Sequence, residues 1–248
     1  MKNVGSLLDS TYLKTAEQAG VSEAENQQLV VKLIQEAIQF QFKLVMIRPD
    51  YVSMTRAILD EVNSAVLAGT VIGFPTGAAP LKEKLDEATK AIEDGADELD
   101  FVIDYKAYQK GCFVQLEESV KQCTDLCLKH GKVAKWIIEI AALSDEEIAS
   151  ISKFIKEVVL SNFGLAIAEK VFVKSSTGFY KREDGGPVGA TLPGLKVMID
   201  HATPLPVKAA GGVKNLSDVE KMVELGVSRI GTSSAKQIVL GEATINKY

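Results

Sequence analysis

The sequence predicts an α/β protein built as a single (β/α)8 barrel. Short apolar runs alternate with longer amphipathic segments along the 248 residues, the signature of a parallel sheet flanked by helices. No Pro-, Ser- or Gly-rich linker interrupts them, so one domain over residues 1–248 is expected, with residues 241–248 as a polar tail. Two of the runs end in lysine, Lys174 and Lys208, each followed by glycine a few residues on. Desolvating an ammonium is costly, so lysines at the ends of buried strands point to chemistry.

The first strand is read in Ser6–Thr11, short and apolar, ahead of the helix expected at Glu23–Phe40. Strands follow at Lys43–Ile47, Gly69–Phe74, Glu98–Ile103, Val133–Ile140, Val171–Lys174, Leu205–Ala209 and Arg229–Thr232. Between them, apolar residues recur at three and four over Tyr51–Val62, Leu81–Asp94, Val114–His130, Asp145–Leu160, Leu192–His201 and Leu216–Leu225, the period of a half-buried helix. Thr191 before Leu192-Pro193 and Asn215 before Leu216 are N-cap signals, and Gly95 and Gly226 stand where helices stop. An open, doubly wound sheet is the alternative. It lacks the G-x-G-x-x-G turn that a dinucleotide-binding sheet shows after its first strand, and the run at Ser6–Thr11 supplies the eighth strand that a barrel requires.

With 46% hydrophobic residues, a chain of this length buries about three quarters of the surface its unfolded form exposes. A net charge of −5 argues against a nucleic-acid surface. No apolar run approaches the roughly 18 residues of a membrane span, and the start lacks a signal-peptide core, so a cytoplasmic protein is expected. The three cysteines do not form a disulfide framework. Cys123, Cys127 and His130 share one helical face, but a fourth ligand is missing, and core packing is the better reading.

In a barrel the C-terminal strand ends surround one mouth, where active sites of the fold lie. Those ends carry Asp9, Met46, Gly73-Phe74-Pro75, Asp100, Glu139, Lys174, Lys208 and Gly231-Thr232-Ser233-Ser234. Alternation puts Glu98 and Asp100 on one face of the fourth strand, and Lys135 with Glu139 on one face of the fifth. Such charges can simply satisfy one another as an interior network. The alternative is catalysis by an amine, which attacks a carbonyl only when neutral and so needs a lowered pKa. In that reading Lys174 is the nucleophile, Lys208 the cation that disfavours its protonation, and Asp100 the group that accepts and returns protons. The loops after strands seven and eight, where this fold often holds phosphate, offer Gly211 and Gly212, then Gly231, Ser233 and Ser234, with Thr177 and Gly178 as a third side. Neither histidine stands at a strand end, which leaves hydrolytic triads and histidine-bound metals without their ligands.

Six blocks in order carry a family resemblance: Leu7-Leu8-Asp9-Ser10-Thr11, Val71–Gly77 (VIGFPTG), Gly95–Asp100 (GADELD), Val173–Gly178 (VKSSTG), Val207–Gly212 (VKAAGG) and Arg229–Ser234 (RIGTSS). Along nearly its whole length the chain resembles the deoxyribose-phosphate aldolases. The resemblance implies a class I aldolase that needs no cofactor or metal and reversibly cleaves 2-deoxy-D-ribose 5-phosphate to acetaldehyde and D-glyceraldehyde 3-phosphate. It implies a Schiff base on Lys174, proton transfer by Asp100 and Lys208, and phosphate held at Gly178, Gly211, Gly212, Ser233 and Ser234. Asp9 and Lys135 are further candidates. Some members of that family end in a tyrosine on a mobile tail that reaches the active site, an expectation for Tyr248 that stands against a simple frayed terminus. Three positions depart from the family pattern: Ser10, Met46 in place of a common cysteine, and Asp104 as an added acid at the mouth. The expected partners are small phosphorylated sugars and aldehydes, with a homodimer as the assembly. A catalytically idle phospho-sugar-binding barrel and a lysine aldolase or transaldolase with another donor are the competing functions.

Overall fold

In a computed structural model that describes residues 4–183, 185–186 and 188–242, eight parallel strands close into a barrel in chain order. They are β1 (Leu8–Thr11), β2 (Leu44–Ile47), β3 (Leu67–Ile72), β4 (Glu98–Val102), β5 (Val133–Ile137), β6 (Val171–Lys174), β7 (Val207–Ala210) and β8 (Arg229–Thr232). The helices are α1 (Ala16–Ala19), α2 (Glu23–Phe40), α3 (Val52–Glu61), α4 (Leu81–Glu93), α5 (Tyr105–Gln109), α6 (Phe113–Lys129), α7 (Asp145–Phe163), α8 (Leu192–Ala202), α9 (Leu216–Leu225) and α10 (Ala235–Leu240). Pairing of Leu8 with Ile230 and Asp9 with Gly231 closes the sheet and decides for the barrel over the open alternative. Among the described residues no helix is long and apolar enough to cross a membrane.

Local chemistry fixes the ends of these elements. Thr15, Ser22 and Ser144 each close a capping box, while Thr191 and Asn215 cap α8 and α9 through their side chains, as the sequence predicts. Where the observed strands differ from expectation, the backbone gives the reason. The run read as Val133–Ile140 stops at Ile137, because Glu139 turns into the left-handed region at φ 57° and a 3-10 turn follows over Ile140–Ala142. The expected strand start at Leu205 moves to Val207, since Pro204 and Pro206 have no N–H to give to a ladder. Val4–Leu7 forms a 3-10 turn, so β1 begins only at Leu8.

The barrel wall separates two unlike interiors. Its outer face packs on the helices, with Phe101 and Trp136 stacked at 5.1 Å and Trp136 Nε1 donating to Thr124 Oγ1 on α6 at 3.1 Å. Cys123 and Cys127 are buried in this layer, and burial pushes the Cys123 thiol up to about 12. Inside, β2 and β3 contribute a small apolar cluster of Leu44, Met46 and Val71, joined by Leu13 and flanked by Phe74 and Phe179. Gly69 makes room for it, since a Cβ there would lie 2.8 Å from Met46 Cε.

The β3–α4 loop folds tightly over the mouth. Gly77 has φ 73°, and a Cβ on it would lie 2.3 Å from the Ile103 carbonyl oxygen at the end of β4. Gly77→Ala is therefore expected to cost about 1–3 kcal/mol in urea-induced unfolding, from left-handed strain and contact with a backbone atom that cannot swing aside.

Candidate active site

Registration of the strands determines which side chains meet inside the barrel, because parallel partners point to the same side of a sheet. Lys174 pairs with Lys208, Lys208 with Arg229, and Asp100 with Lys135, so residues from β4 to β8 converge with Asp9 of β1. Asp9, Asp100, Lys135 and Lys208 have no exposed surface, and Lys174 is 2% exposed.

Asp100 is the hub. Its Oδ2 lies 2.8 Å from both Lys174 Nζ and Lys208 Nζ, and its Oδ1 lies 2.7 Å from Lys135 Nζ. Lys208 reaches on to Asp9 at 2.6 Å, and Lys135 to Glu98 at 2.7 Å. Arg229 joins the other ends, donating from Nε to Asp9 at 3.0 Å and from Nη1 and Nη2 to Glu98 at 3.1 Å. The contacts run Arg229, Asp9, Lys208, Asp100, Lys135, Glu98 and back to Arg229, with Lys174 attached at Asp100.

These neighbours set the protonation states. Burial alone would raise the Asp100 carboxyl, but Lys135, Lys174 and Lys208 outweigh it and hold the group well below the usual carboxylate range. Asp9 is held at about 2, where burial is outweighed by Arg229, Lys208 and Lys135. Lys135 resists burial through Asp100 and Glu98 and is raised. Lys174 is lowered to about 8: burial is the largest cause, Asp100 opposes it, and Lys208 and then Lys135 add to the lowering. The expected effect of Lys208 on Lys174 is present, yet burial is the larger cause.

Other expected site residues fall differently. Glu139 does not pair with Lys135; it lies beyond β5, where its Oε2 accepts from the Thr177 N–H at 3.0 Å and from the Thr177 hydroxyl. Thr177 thus has both donors directed to Glu139, and its Oγ1 accepts from the Phe179 N–H. Gly231 lies within β8, and a Cβ on it would stand 3.2 Å from Lys208 Cε. Its smallness leaves room for the lysine stem. Asp104 caps α5 by accepting from the Ala107 N–H at 2.9 Å rather than adding a free acid to the mouth. Tyr248 lies outside the described residues.

Gly178, Gly212 and Ser233 are exposed at the mouth, and Gly178, Gly211 and Gly212 have φ of 80°, 88° and 77°. A Cβ on Gly178 or Gly212 would meet nothing within 4 Å, so their backbone faces open space. Thr232 Oγ1 donates to Val213 O at 2.6 Å and accepts from the Ser234 N–H at 2.9 Å, fastening the β7 and β8 loops side by side. A cavity of about 210 Å³ opens at the segments that follow β3 to β6, between Pro75, Tyr105, Glu139, Thr177, Phe179 and Tyr180. A larger one, about 490 Å³, lies at the opposite end, lined by residues such as Phe172, Leu205, Pro206 and Ser228, with Glu169 as its one ionisable lining residue.

Sequence reasoning missed one member of the network, Arg229. Arginine inside a short apolar strand is as costly as lysine there, and its alternation with Gly231 was the available signal. The anchoring role of Glu139 had none, because a left-handed φ at glutamate is not written in local propensity.

Comparison with known proteins agrees with this geometry. Residues 13–242 match the family described as DeoC/LacD family aldolase. A deoxyribose-phosphate aldolase of Thermococcus gammatolerans is 38% identical over 86% of this chain and 88% of its own, and one of Staphylococcus saprophyticus is 37% identical over 99% of this chain and all of its own. Among solved structures, a putative deoxyribose-phosphate aldolase from Coccidioides immitis superposes with a TM-score of 0.80 at 28% identity, covering 96% of this chain and 85% of that one. A tetrameric deoxyribose phosphate aldolase from Aeropyrum pernix gives 0.76 at 27% identity, covering 96% and 89%. Matched over almost all its length by the family and by these relatives, the chain belongs to the DeoC/LacD family of aldolases.

Proposed function

We propose that this aldolase reversibly cleaves 2-deoxy-D-ribose 5-phosphate to acetaldehyde and D-glyceraldehyde 3-phosphate through a Schiff base on Lys174. The observation that carries the reading is the position of Lys174: a buried amine lowered to about 8 and bonded to a carboxylate shared with two other lysines. At pH 7 about a tenth of such an amine is neutral, against roughly 0.03% for an unperturbed lysine. The names of the relatives support the substrate.

Each step then has a residue. Neutral Lys174 attacks the C1 aldehyde carbon, and the carbinolamine loses its hydroxyl as water to give an iminium. The C2–C3 bond breaks as the C3 hydroxyl loses its proton; its electrons pass to the iminium, giving an enamine and D-glyceraldehyde 3-phosphate. Protonation at C2 and hydrolysis release acetaldehyde and return Lys174. Asp100 touches both Lys174 and Lys208, so it is the route by which protons pass between them. Lys135 and Asp9 hold that pair in place. The phosphate lies against the backbone of Gly178, Gly211 and Gly212 and against Ser233 and Ser234, where exposed N–H groups in left-handed turns suit an anion. The assembly in solution is taken as a homodimer; light scattering that gives a tetramer would replace it.

Borohydride reduction in the presence of acetaldehyde is expected to label Lys174 alone in peptide mass spectrometry; label on another lysine removes the assignment. Lys174→Arg should abolish both adduct and cleavage, whereas Lys208→Arg should slow cleavage by about 10²–10⁴-fold while an adduct still forms. An idle sugar-phosphate binder shows no turnover in wild-type protein, and an aldolase with another donor shows turnover of a different substrate. The rate of adduct formation should climb about tenfold per pH unit below pH 8 and level off above it, because only deprotonated Lys174 attacks and its pKa is about 8. A rate that still climbs tenfold per unit from pH 8 to pH 10 contradicts a lowered lysine.

A further inference from the structure

We infer that Arg229 is a positioning residue for Lys174: by closing the ring of alternating charges through Asp9 and Glu98, it leaves Lys174 as the one surplus cation of the barrel. The inference rests on Lys174 being the nucleophile. Arg229 has hydrogen bonds and ion pairs to Asp9 and Glu98 and none to Lys174 among the described contacts, so its effect passes through the charge count and the placement of the ring.

The count follows from the contacts. Arg229, Lys208 and Lys135 alternate with Asp9, Asp100 and Glu98, three cations against three anions, and every member touches two of opposite sign. The closed ring is neutral. Among the described residues Lys174 has an ion pair to Asp100 alone, a carboxylate already shared by Lys135 and Lys208. Protonating it adds net charge to a space buried from solvent, which is the arrangement that releases a proton most readily. Lys135 and Lys208 each lie between two carboxylates, and Lys135 is raised in keeping with this.

Among the described residues, the charged groups facing these two can be named. Lys174 is faced by Asp100 from β4, Lys135 and Glu139 from β5 and the turn after it, and Lys208 from β7. Glu139 does not supply the missing anion at full strength, because burial pushes its carboxyl up. Arg229 is faced by Asp9 from β1, Glu98 from β4, Lys135 from β5 and its register neighbour Lys208 from β7. Removing Arg229 makes the ring an anion that Lys174 can neutralise by staying protonated. Removing the carboxylate of Glu98 makes the ring a cation, and Lys174 then loses its proton more easily. Removing both restores neutrality.

The test is the pH midpoint for acetaldehyde adduct formation on Lys174, trapped by borohydride and read by mass spectrometry in the full-length protein. Arg229→Gln is expected to move the midpoint up by about one pH unit or more, and Glu98→Gln to move it down. The double variant Arg229→Gln/Glu98→Gln and the charge-conserving Arg229→Lys should both return close to the wild-type midpoint. Opposite shifts that cancel are not produced by loosened packing, which would move both single variants the same way. Label on Lys174 with unmoved midpoints, or with both singles shifted in one direction, overturns the role of Arg229 and leaves the nucleophile standing. Wild-type protein with no adduct on Lys174 removes the nucleophile assignment and this inference with it. Should Arg229→Gln fail to fold, a lowered midpoint in Glu98→Gln with a wild-type midpoint in the double variant still supports the inference, and any other pair of values refutes it.

Discussion

Everything in this barrel depends on keeping seven charged side chains away from water. Moving one carboxylate or ammonium into a protein interior costs several kcal/mol even after relaxation, and the cost is offset only when each ion finds opposite charges at contact distance. Here Asp9, Glu98, Asp100, Lys135, Lys208 and Arg229 each have two such partners. No single strand can arrange that. It needs β1, β4, β5, β7 and β8 in one closed sheet, with Lys208 level with Arg229 and Asp100 level with Lys135. A slip of one residue in any strand would turn its charge into the apolar layer under the helices, so the ion pairs discriminate strongly between registers. Their net contribution to stability is a separate matter, and buried pairs are not in general worth more than a well-packed apolar core.

The interior is divided by side. Charges fill the part of the barrel from β4 round to β1, while Leu44, Met46 and Val71 with Leu13 make an apolar wall across from them. Gly69 and Gly231 serve opposite sides of this division: one lets Leu44 and Met46 sit inside, the other lets the stem of Lys208 pass. A carbonyl carbon presented at Lys174 therefore has charge on one side and hydrocarbon on the other. Water exclusion by the apolar wall strengthens each electrostatic contact facing it.

Much of this was legible in the sequence. Periodicity located all eight strands, and α2 and α9 match their expected bounds because Ser22 and Asn215 cap them and no proline intrudes. Asp100, Lys174 and Lys208 stood out because ionisable groups inside apolar runs violate the burial rule. What escaped reading was relational. Whether Lys135 turns to Glu139 four residues along its own segment or to Asp100 on the next strand depends on where β5 ends, and a left-handed glutamate decided that. The glycine of the β8 segment looks in sequence like one of an anion loop, yet Gly231 belongs to the strand and faces a lysine. Arg229 was hidden by its place at the first residue of its strand, where a charge usually faces solvent.

Register also explains why the two lysines that pair across β6 and β7 are not equivalent. Lys208 extends toward β1, where Asp9 awaits it, so its ammonium is held between two carboxylates. Lys174 has Lys208 on one side and, level with it on β5, Ile137 on the other. An isoleucine offers no charge and no hydrogen bond, and its methyl groups exclude the water that would otherwise stabilise an ammonium. The difference between a lysine held by two carboxylates and one held by a single shared carboxylate thus lies less in the lysine than in what the neighbouring strand presents at its level. With a carboxylate at that level, the ring's pattern of two opposite charges around every cation would extend to Lys174. With isoleucine there, the pattern breaks at one amine, and that amine is the one nearest the mouth.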